Sequence, residues 1–471
     1  QMLNAIKVSG RTKGGLGIGF FNAITEKTEA TIEKTVEDNN GGQIIATKTR
    51  RKVTTNPFSN YNIMVLDQQF NQNSAITLIN TNVTRDGSFR DANATGLLWH
   101  VEDKGSNYNI DGSFKMTNIS DDVNNPNTGY TFDTSIGKQS GNWVGEIGYN
   151  FENKDFNPND LGILFNNNEQ EIYGFVQYRI LKPKGKFNFY RIGGRYNVNF
   201  LHHSGIYTGT NANLSFGADT KKRLSFGANL NYGTQGKDYN EPRQGNTSGI
   251  YFKNPERLNM NHWASTDFRK KLALDYNFWV TFFGETVKDV SQMSYGFRLN
   301  PRYRFNNQFS LRYGFSYSKS NNQFGYVNES NNDIIFGQRD WTSYNNSLSG
   351  KYTFSTKSSL SLSFRHNWSK VPYNSQFYKL NQSNGALEAS NYSETHDINF
   401  NSWNIDVNYI WQFAPGSQLI AFYRNSISNF SEDASLSFND NLNQLFEEPN
   451  LHTFSLRLVY FIDYNNIKNI F

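Results

Sequence analysis

The chain has 471 residues, a formal net charge of +5, 18% charged and 16% aromatic residues, and no cysteine. It is too aromatic for a disordered chain and, at a mean hydropathy of −0.68, too polar for a bundle of transmembrane helices; no run reaches the roughly 18 consecutive apolar residues that a spanning helix needs. The absence of cysteine excludes a disulfide scaffold, a thiolate nucleophile and a cysteine-ligated metal.

The chain opens on Gln1 with no targeting segment to read, as a processed product or a fragment would. From there nearly every apolar run alternates with a period of two, the spacing of a strand whose faces meet different surroundings. The alternation predicts strands at 2–9, 14–22, 60–69, 73–81, 94–102, 107–117, 128–138, 141–151, 170–180, 187–200 and 206–216. It continues at 223–234, 258–269, 271–284, 294–304, 309–318, 341–354, 360–369, 397–411, 419–427 and 451–461, about 21 strands in this chain. In one of them Leu272, Leu274, Tyr276, Phe278, Val280 and Phe282 oppose Lys271, Ala273, Asp275, Asn277 and Thr281.

Strands in soluble sandwiches usually run five or six residues and bury Val, Ile and Leu. Here many runs reach ten or more and their apolar faces are rich in Tyr and Phe, which fits the 9–11 residues of a tilted membrane strand and the aromatic girdles at its ends. The expected fold is therefore all-β, a large antiparallel transmembrane β-barrel in a bacterial outer membrane. A large soluble solenoid or a surface-layer sheet is the alternative.

The predicted connections alternate in length. Tight links such as 10–13, 70–72, 139–140, 181–185 and 306–308 interleave with long segments at 23–59, 118–127, 152–169, 235–257, 319–340, 370–396 and 428–450. Bacterial barrels keep short turns in the periplasm and long loops outside. On that rule the first strand runs downward from the outer surface. A single-chain barrel with both ends inside then needs at least one strand upstream of Gln1, which makes the intact barrel about 22-stranded.

Several blocks carry a family resemblance: Ser9-Gly10-Arg11-Thr12, Gly15 to Gly19, Asn22-Ala23, Tyr61-Asn62, Asn80 to Val83 with Arg85, and Ala92-Asn93 with Gly96. With them the chain resembles a large family of Bacteroidota outer-membrane proteins in which a domain resembling family 9 carbohydrate-binding modules precedes a C-terminal barrel of unassigned function. The resemblance is densest over residues 1–100. It implies that residues 1–471 are the barrel domain and that further strands and a periplasmic N-terminal domain lie upstream. Carbohydrate binding by that domain is not assigned to any residue here. At the other end Phe454, Leu456, Leu458 and Tyr460 form an apolar stripe, and Phe471 closes the chain, as in barrels that end on an aromatic-rich strand.

Seven arginines fall on polar faces in this register: Arg191, Arg195, Arg298, Arg302, Arg312, Arg365 and Arg457. Facing a lumen they would form a cationic lining that favours anionic solutes. The blander reading pairs them with Asp275, Asp406 and other acids, or with an internal plug. Gly14, Gly15, Gly17 and Gly19 do not form a phosphate loop, since no helix follows and no Lys-Ser or Lys-Thr closes the motif. His202 and His203 are adjacent, and neighbours on a strand point to opposite faces, so they do not make a ligand pair. The acids Glu432, Asp433, Asp440, Glu447 and Glu448 sit in a long connection, where they would bind calcium, bridge lipopolysaccharide, or simply be solvated.

No nucleophile elbow appears and no basic domain is concentrated enough for nucleic acid, so neither a catalytic residue nor a metal or cofactor site is assigned. The expected partners are outer-membrane lipids, lipopolysaccharide, and outer-membrane or periplasmic proteins. A channel or transport component for an unidentified solute leads the functional readings. A non-enzymatic scaffold in a surface, assembly or secretion complex and a glycan-binding surface protein follow. Aromatic residues in or beside the long connections, Phe324, Tyr326, Trp341, Tyr373 and Phe377, would serve passage or docking.

Overall fold

The computed structural model describes residues 2–40, 43–120 and 126–461. The chain divides into two units, Gln1–Val176 with Tyr196–Thr208, and Gln177–Arg195 with Gly209–Phe471.

The first unit holds β1 (Met2–Arg11), β2 (Leu16–Thr25), β3 (Thr28–Asn40), β4 (Gln43–Asn56), β5 (Ser59–Phe70), β6 (Ser74–Arg85), β7 (Asp91–Glu102), β8 (Tyr108–Ser120), β9 (Asn127–Lys138) and β10 (Trp143–Glu152). The unit boundary divides β11 (Glu169–Arg179) and β12 (Phe187–Leu201). β1, β2 and β5 to β10 form an antiparallel ladder in chain order. One face of this ladder is apolar, with Ile18, Met64, Leu78, Leu97 and Phe114 all exposed. On the other, Arg11 pairs with Asp67, and Asp67 accepts from Thr77 Oγ1 at 2.8 Å.

β3 and β4 form a separate hairpin where a long loop is expected at 23–59. Glu33 explains part of its stability: it lies opposite Arg50 and takes Arg50 Nε at 2.7 Å and Lys48 Nζ at 2.9 Å. Opposite charges facing each other across a strand pair favour pairing over loop.

The second unit contains β13 (Tyr207–Thr220), β14 (Ser225–Gly233), β15 (Gly236–Asp238), β16 (Phe252–Asn254), β17 (Arg257–Ser265), β18 (Leu272–Phe283), β19 (Met293–Arg304) and β20 (Phe309–Ser330). It continues through β21 (Asp333–Ser355), β22 (Ser358–Val371), β23 (Tyr373–Leu380), β24 (Leu387–Ser390), β25 (Ile398–Ala414), β26 (Ser417–Ser431), α1 (Phe438–Glu447) and β27 (Leu451–Val459). Its antiparallel ladder runs β13, β14, β17 to β22, β25, β26 and β27. Every interval taken from the alternation falls on a long strand, so the period of two is the signal that carries the fold.

The long connections hold more structure than the sequence suggests. Strands β20 and β21 run to 22 and 23 residues and consume the expected loop at 319–340. Their turn is Asn331-Asn332, both with positive φ (50° and 66°), between the paired residues Ser330 and Asp333. That is the two-residue turn whose twist suits a hairpin, and asparagine tolerates the left-handed conformation. The extension packs on β16 and β23 through a small core of Phe252, Phe324, Ile334, Phe336, Tyr378 and Leu380, with Leu387 of β24 against it. Phe324 is buried in this core and Phe377 against Tyr373 and Tyr392, so neither presents its ring for passage or docking.

The acidic connection at 428–450 contains α1. Ser437 caps it by accepting from the Asp440 amide at 3.3 Å, and Asp440 sits in the first turn, where a negative charge suits the helix dipole. Glu448 accepts from Asn429 at 2.8 Å. These acids hold the segment's own structure together. The helix lies on β25 and β26, with Phe446 against Trp403, Phe438 against Trp368, and Asn441 bonded to Asn399 and Asn401. In β27 and just beyond it Phe454, Leu456, Leu458 and Tyr460 are exposed; Phe471 lies outside the described residues, as do residues 121–125 of the expected connection at 118–127.

Candidate functional site

The second unit's ladder has one apolar and one polar face. Residues paired on the apolar face include Met260 with Val280, Phe278 with Phe297, and Leu348 with Phe364. Shifting by one residue gives the polar partners: Asn261 with Trp279, Asn277 with Arg298, and Ser347 with Arg365. A register slip would exchange the two sets, so the burial pattern fixes the register.

All seven arginines lie on strands of this ladder or on the part of β12 that belongs to the same unit. Arg191 lies beside Gly217, where a Cβ would come within 3.4 Å of its Nε, and Arg195 is exposed four residues further along β12. Arg302 and Arg312 stand opposite one another, an unfavourable pairing of like charges. Two contacts relieve it. Arg312 reaches Asp275 at 3.1 Å, and Arg302 donates to the Phe268 carbonyl with its guanidinium 4.5 Å from the Phe268 ring.

Arg365 donates to Asp406 at 2.7 Å and to Asn404 at 2.8 Å. The reading that pairs arginines with Asp275 and Asp406 thus describes Arg312 and Arg365. Arg191, Arg298 and Arg457 have no carboxylate within ion-pair range among the described residues and are exposed. Further cations on this face escape the sequence reading, among them Arg257, which donates to Asn211 at 3.1 Å. Arg424 takes Asp406 from the other side, with Nε 2.6 Å from Oδ1, and Arg304 donates to the Phe268 carbonyl at 3.0 Å. Arg304 stands two residues from Arg302, so the period of two contains the signal for it.

Amides crowd the same face. Asn213 donates to Asn231 at 2.5 Å, Asn231 to Asn259 at 3.1 Å, and Asn259 to Thr281 at 2.8 Å, a row crossing four strands. With Trp279 and Arg298 these amides border a cavity of about 500 Å³. A second cavity, of about 440 Å³, is bordered by Arg298, Asn300, Asn345, Arg365, Asn367 and Asn404, among others. Both are open depressions on the polar face rather than enclosed pockets.

The first unit's polar face has the opposite character. His100 lies between Asp111, which stands directly across the strand pair, and Glu102, whose Oε1 is 3.0 Å from Nε2. Lys115 reaches Asp133 at 3.7 Å. His202 stacks on Phe151 with ring centroids 4.2 Å apart, and the His203 amide donates to Asn168 at 2.7 Å. His202 thus packs by its ring, whereas His203 is tied by its backbone and is exposed. Arg11 lies across Gly17, where a Cβ would come within 2.9 Å of its Nη2; the small residue there gives the guanidinium a path to Asp67. Among the described residues no group of three or more His, Asp or Glu side chains could hold a metal ion. No described helix is long and apolar enough to cross a membrane.

Comparison with solved structures finds likenesses at low identity. OmpT, an outer-membrane protein of Vibrio cholerae, is 9% identical over 89% of this chain and 99% of its own, at a TM-score of 0.28. The outer-membrane transporter YddB from Escherichia coli is 11% identical over 96% of this chain and 67% of its own, at 0.43. The copper transporter OprC is 9% identical over 97% and 79%, at 0.36. No curated protein matches the sequence. One family model matches residues 1–471 in full, and the chain belongs to that family, described as "Domain of unknown function (DUF5916)".

Proposed function

We propose that residues 1–471 are an integral outer-membrane β-barrel domain that acts as a channel or transport component. The observation that carries this reading is the pair of unlike faces on long strands. In the second unit Leu214, Leu230, Met260, Phe278 and Phe282 are 39–53% exposed on neighbouring strands. Covering the exposed half of each such side chain is worth about 1 kcal/mol, so leaving many in water would cost a large share of a domain's stability. Lipid is the medium that covers an apolar face around a polar one. The quoted sequence blocks further support the Bacteroidota assignment, with a domain resembling family 9 carbohydrate-binding modules upstream.

The test is electrical. Purified protein added to a planar lipid bilayer is expected to give discrete conductance steps. Absence of steps, from protein that remains folded and membrane-embedded, would overturn the channel reading; recovery in the soluble fraction would overturn the barrel itself.

A second reading, a scaffold in a surface or secretion complex, draws on the core around Phe336, which ties three of the long connections together. Stable co-purifying proteins with a non-conducting barrel would favour it. A glycan-binding surface protein is a third reading.

A further inference from the structure

We infer that the amide-rich polar face of β13, β14, β17, β18 and β19 is a saccharide site, and that acidic sugars are its preferred ligands. This rests on the transport reading and names the solute class for it.

The first argument is the chemistry of the lining. Each asparagine amide offers two donors and two acceptor lone pairs. In the row from Asn213 to Thr281, Asn231 accepts once and donates once, so one N–H and one lone pair remain for a ligand. Asn229 and Asn261 form a parallel contact at 3.4 Å on the same face. Side-by-side donors and acceptors match vicinal hydroxyls, each of which both donates and accepts. No carboxylate borders the cavity, and Arg298, which has no ion-pair partner among the described residues, is the one full charge on its border.

The second argument is an indole set over a glycine. Trp279 borders the cavity on the polar face, paired in register with Asn261 on one side and Gly296 on the other. A Cβ at Gly296 would come within 2.3 Å of Trp279 Cζ2, so the indole occupies the space above the glycine. Trp263 repeats the device over Gly227, at 2.8 Å, and its register partner Asn277 is next to Arg298. A large aromatic surface set along a row of amides suits a ring with polar edges and an apolar C–H face. A sugar has that form; an inorganic anion has no use for the indoles, and a metal cation has none for Arg298.

The test is calorimetry on the full chain in detergent, with three probes: a linear uronate hexasaccharide, a neutral linear glucan hexasaccharide and an uncharged hexapeptide. The uronate is expected to bind about tenfold more tightly than the glucan, and Arg298→Gln to erase that difference. Trp279→Leu should weaken both sugars by about tenfold, and Trp279→Phe should restore most of the loss. Asn231→Leu with Asn259→Leu should abolish measurable binding. Failure of both sugars to bind, unchanged affinity in Trp279→Leu, or preferential binding of the peptide would each overturn the site. The Arg298→Gln and Trp279→Phe changes are small enough to keep the test alive if the leucine variants misfold. Bilayer recordings separate the two claims. Conductance without sugar binding removes the site and leaves the channel; sugar binding without conductance does the reverse.

Discussion

Each unit is built on an antiparallel ladder with the same alternation, yet the polar faces of the two have opposite chemistry. In the first, the charges include Asp67, Glu102, Asp111 and Asp133, met by Arg11, His100 and Lys115. In the second, Asp275 and Asp406 face a larger set of arginines, and Asp406 is shared between Arg365 and Arg424. The strand pattern makes a face polar, and the residue choice then sets the sign of its field. A cationic surface concentrates anions whether or not some of its arginines are paired, because paired charges near solvent remain partly screened and exchangeable.

Reversing that sign should give the largest effect. Arg298→Glu combined with Arg365→Glu is expected to shift the anion-to-cation permeability ratio toward cations by roughly tenfold, read as a change of reversal potential across a salt gradient. Asp406→Asn should move it the other way and by less, since it frees Arg365 and Arg424 together. Neutralising Asp133 in the first unit is the control. If it changes selectivity as much as the double arginine reversal, the division of labour between the two faces is wrong.

The units also differ in how they tie down their long connections, and the next effect tests this. In the first, Asp160 accepts from Arg85 at 2.8 Å and Arg90 at 2.7 Å, with its carboxylate 8% exposed. In the second, the aromatic core around Phe336 does the same work. Phe336→Ala empties a fully buried site and should cost about 3–5 kcal/mol locally. Asp160→Asn keeps the shape and loses the charge, for about 1–3 kcal/mol. Limited proteolysis should therefore cut the 320–340 hairpin in the first variant before it cuts 153–168 in the second. The reverse order would mean that the ion pairs, not the aromatic core, are the stronger tie.

What was legible in the sequence follows the same physics. A period of two is local, so the strands stood out wherever one face is apolar, as in Leu272 to Phe282. Because side chains alternate along a strand, the sequence sets each arginine apart from the apolar residues beside it, while what the arginines face is a matter of how the strands close, which alternation does not carry. The β3 and β4 hairpin was hidden because exposed Thr, Glu and Lys read as loop; its pairing comes from cross-strand charges such as Glu33 with Arg50, a non-local signal. Helix α1 was hidden by its acids, although Ser437 three residues before Asp440 is a capping pattern. The amide row was invisible for another reason. Asn213, Asn231, Asn259 and Thr281 are far apart in sequence and meet only through three strand registers, each of which had to be known first.

The smallest expected effect concerns two short turns, one in each unit, and it sharpens the comparison through salt. In the turn after β7, Asp103 is held below the ordinary aspartate range chiefly by the Tyr108 amide, with the Asn107 amide adding to it. In the turn after β17, Asp267 is held well below that range by the Arg269 guanidinium and then by the Arg269 amide. A depressed folded pKa means that each carboxylate stabilises its turn above the unfolded value, near 3.9, and that this contribution disappears as pH falls through the folded value. Both turns should therefore loosen only in acid. Their salt responses should differ, because backbone N–H donors are neutral while Arg269 is an exposed charge that ions screen. Following the Tyr108 and Arg269 amide resonances through an acid titration, added salt should move the Asp267 midpoint upward and leave that of Asp103 in place. Equal shifts would show that both turns rest on charge alone, and Asp103→Asn, which keeps an acceptor for the Tyr108 amide, should then destabilise its turn as much as Asp267→Asn does.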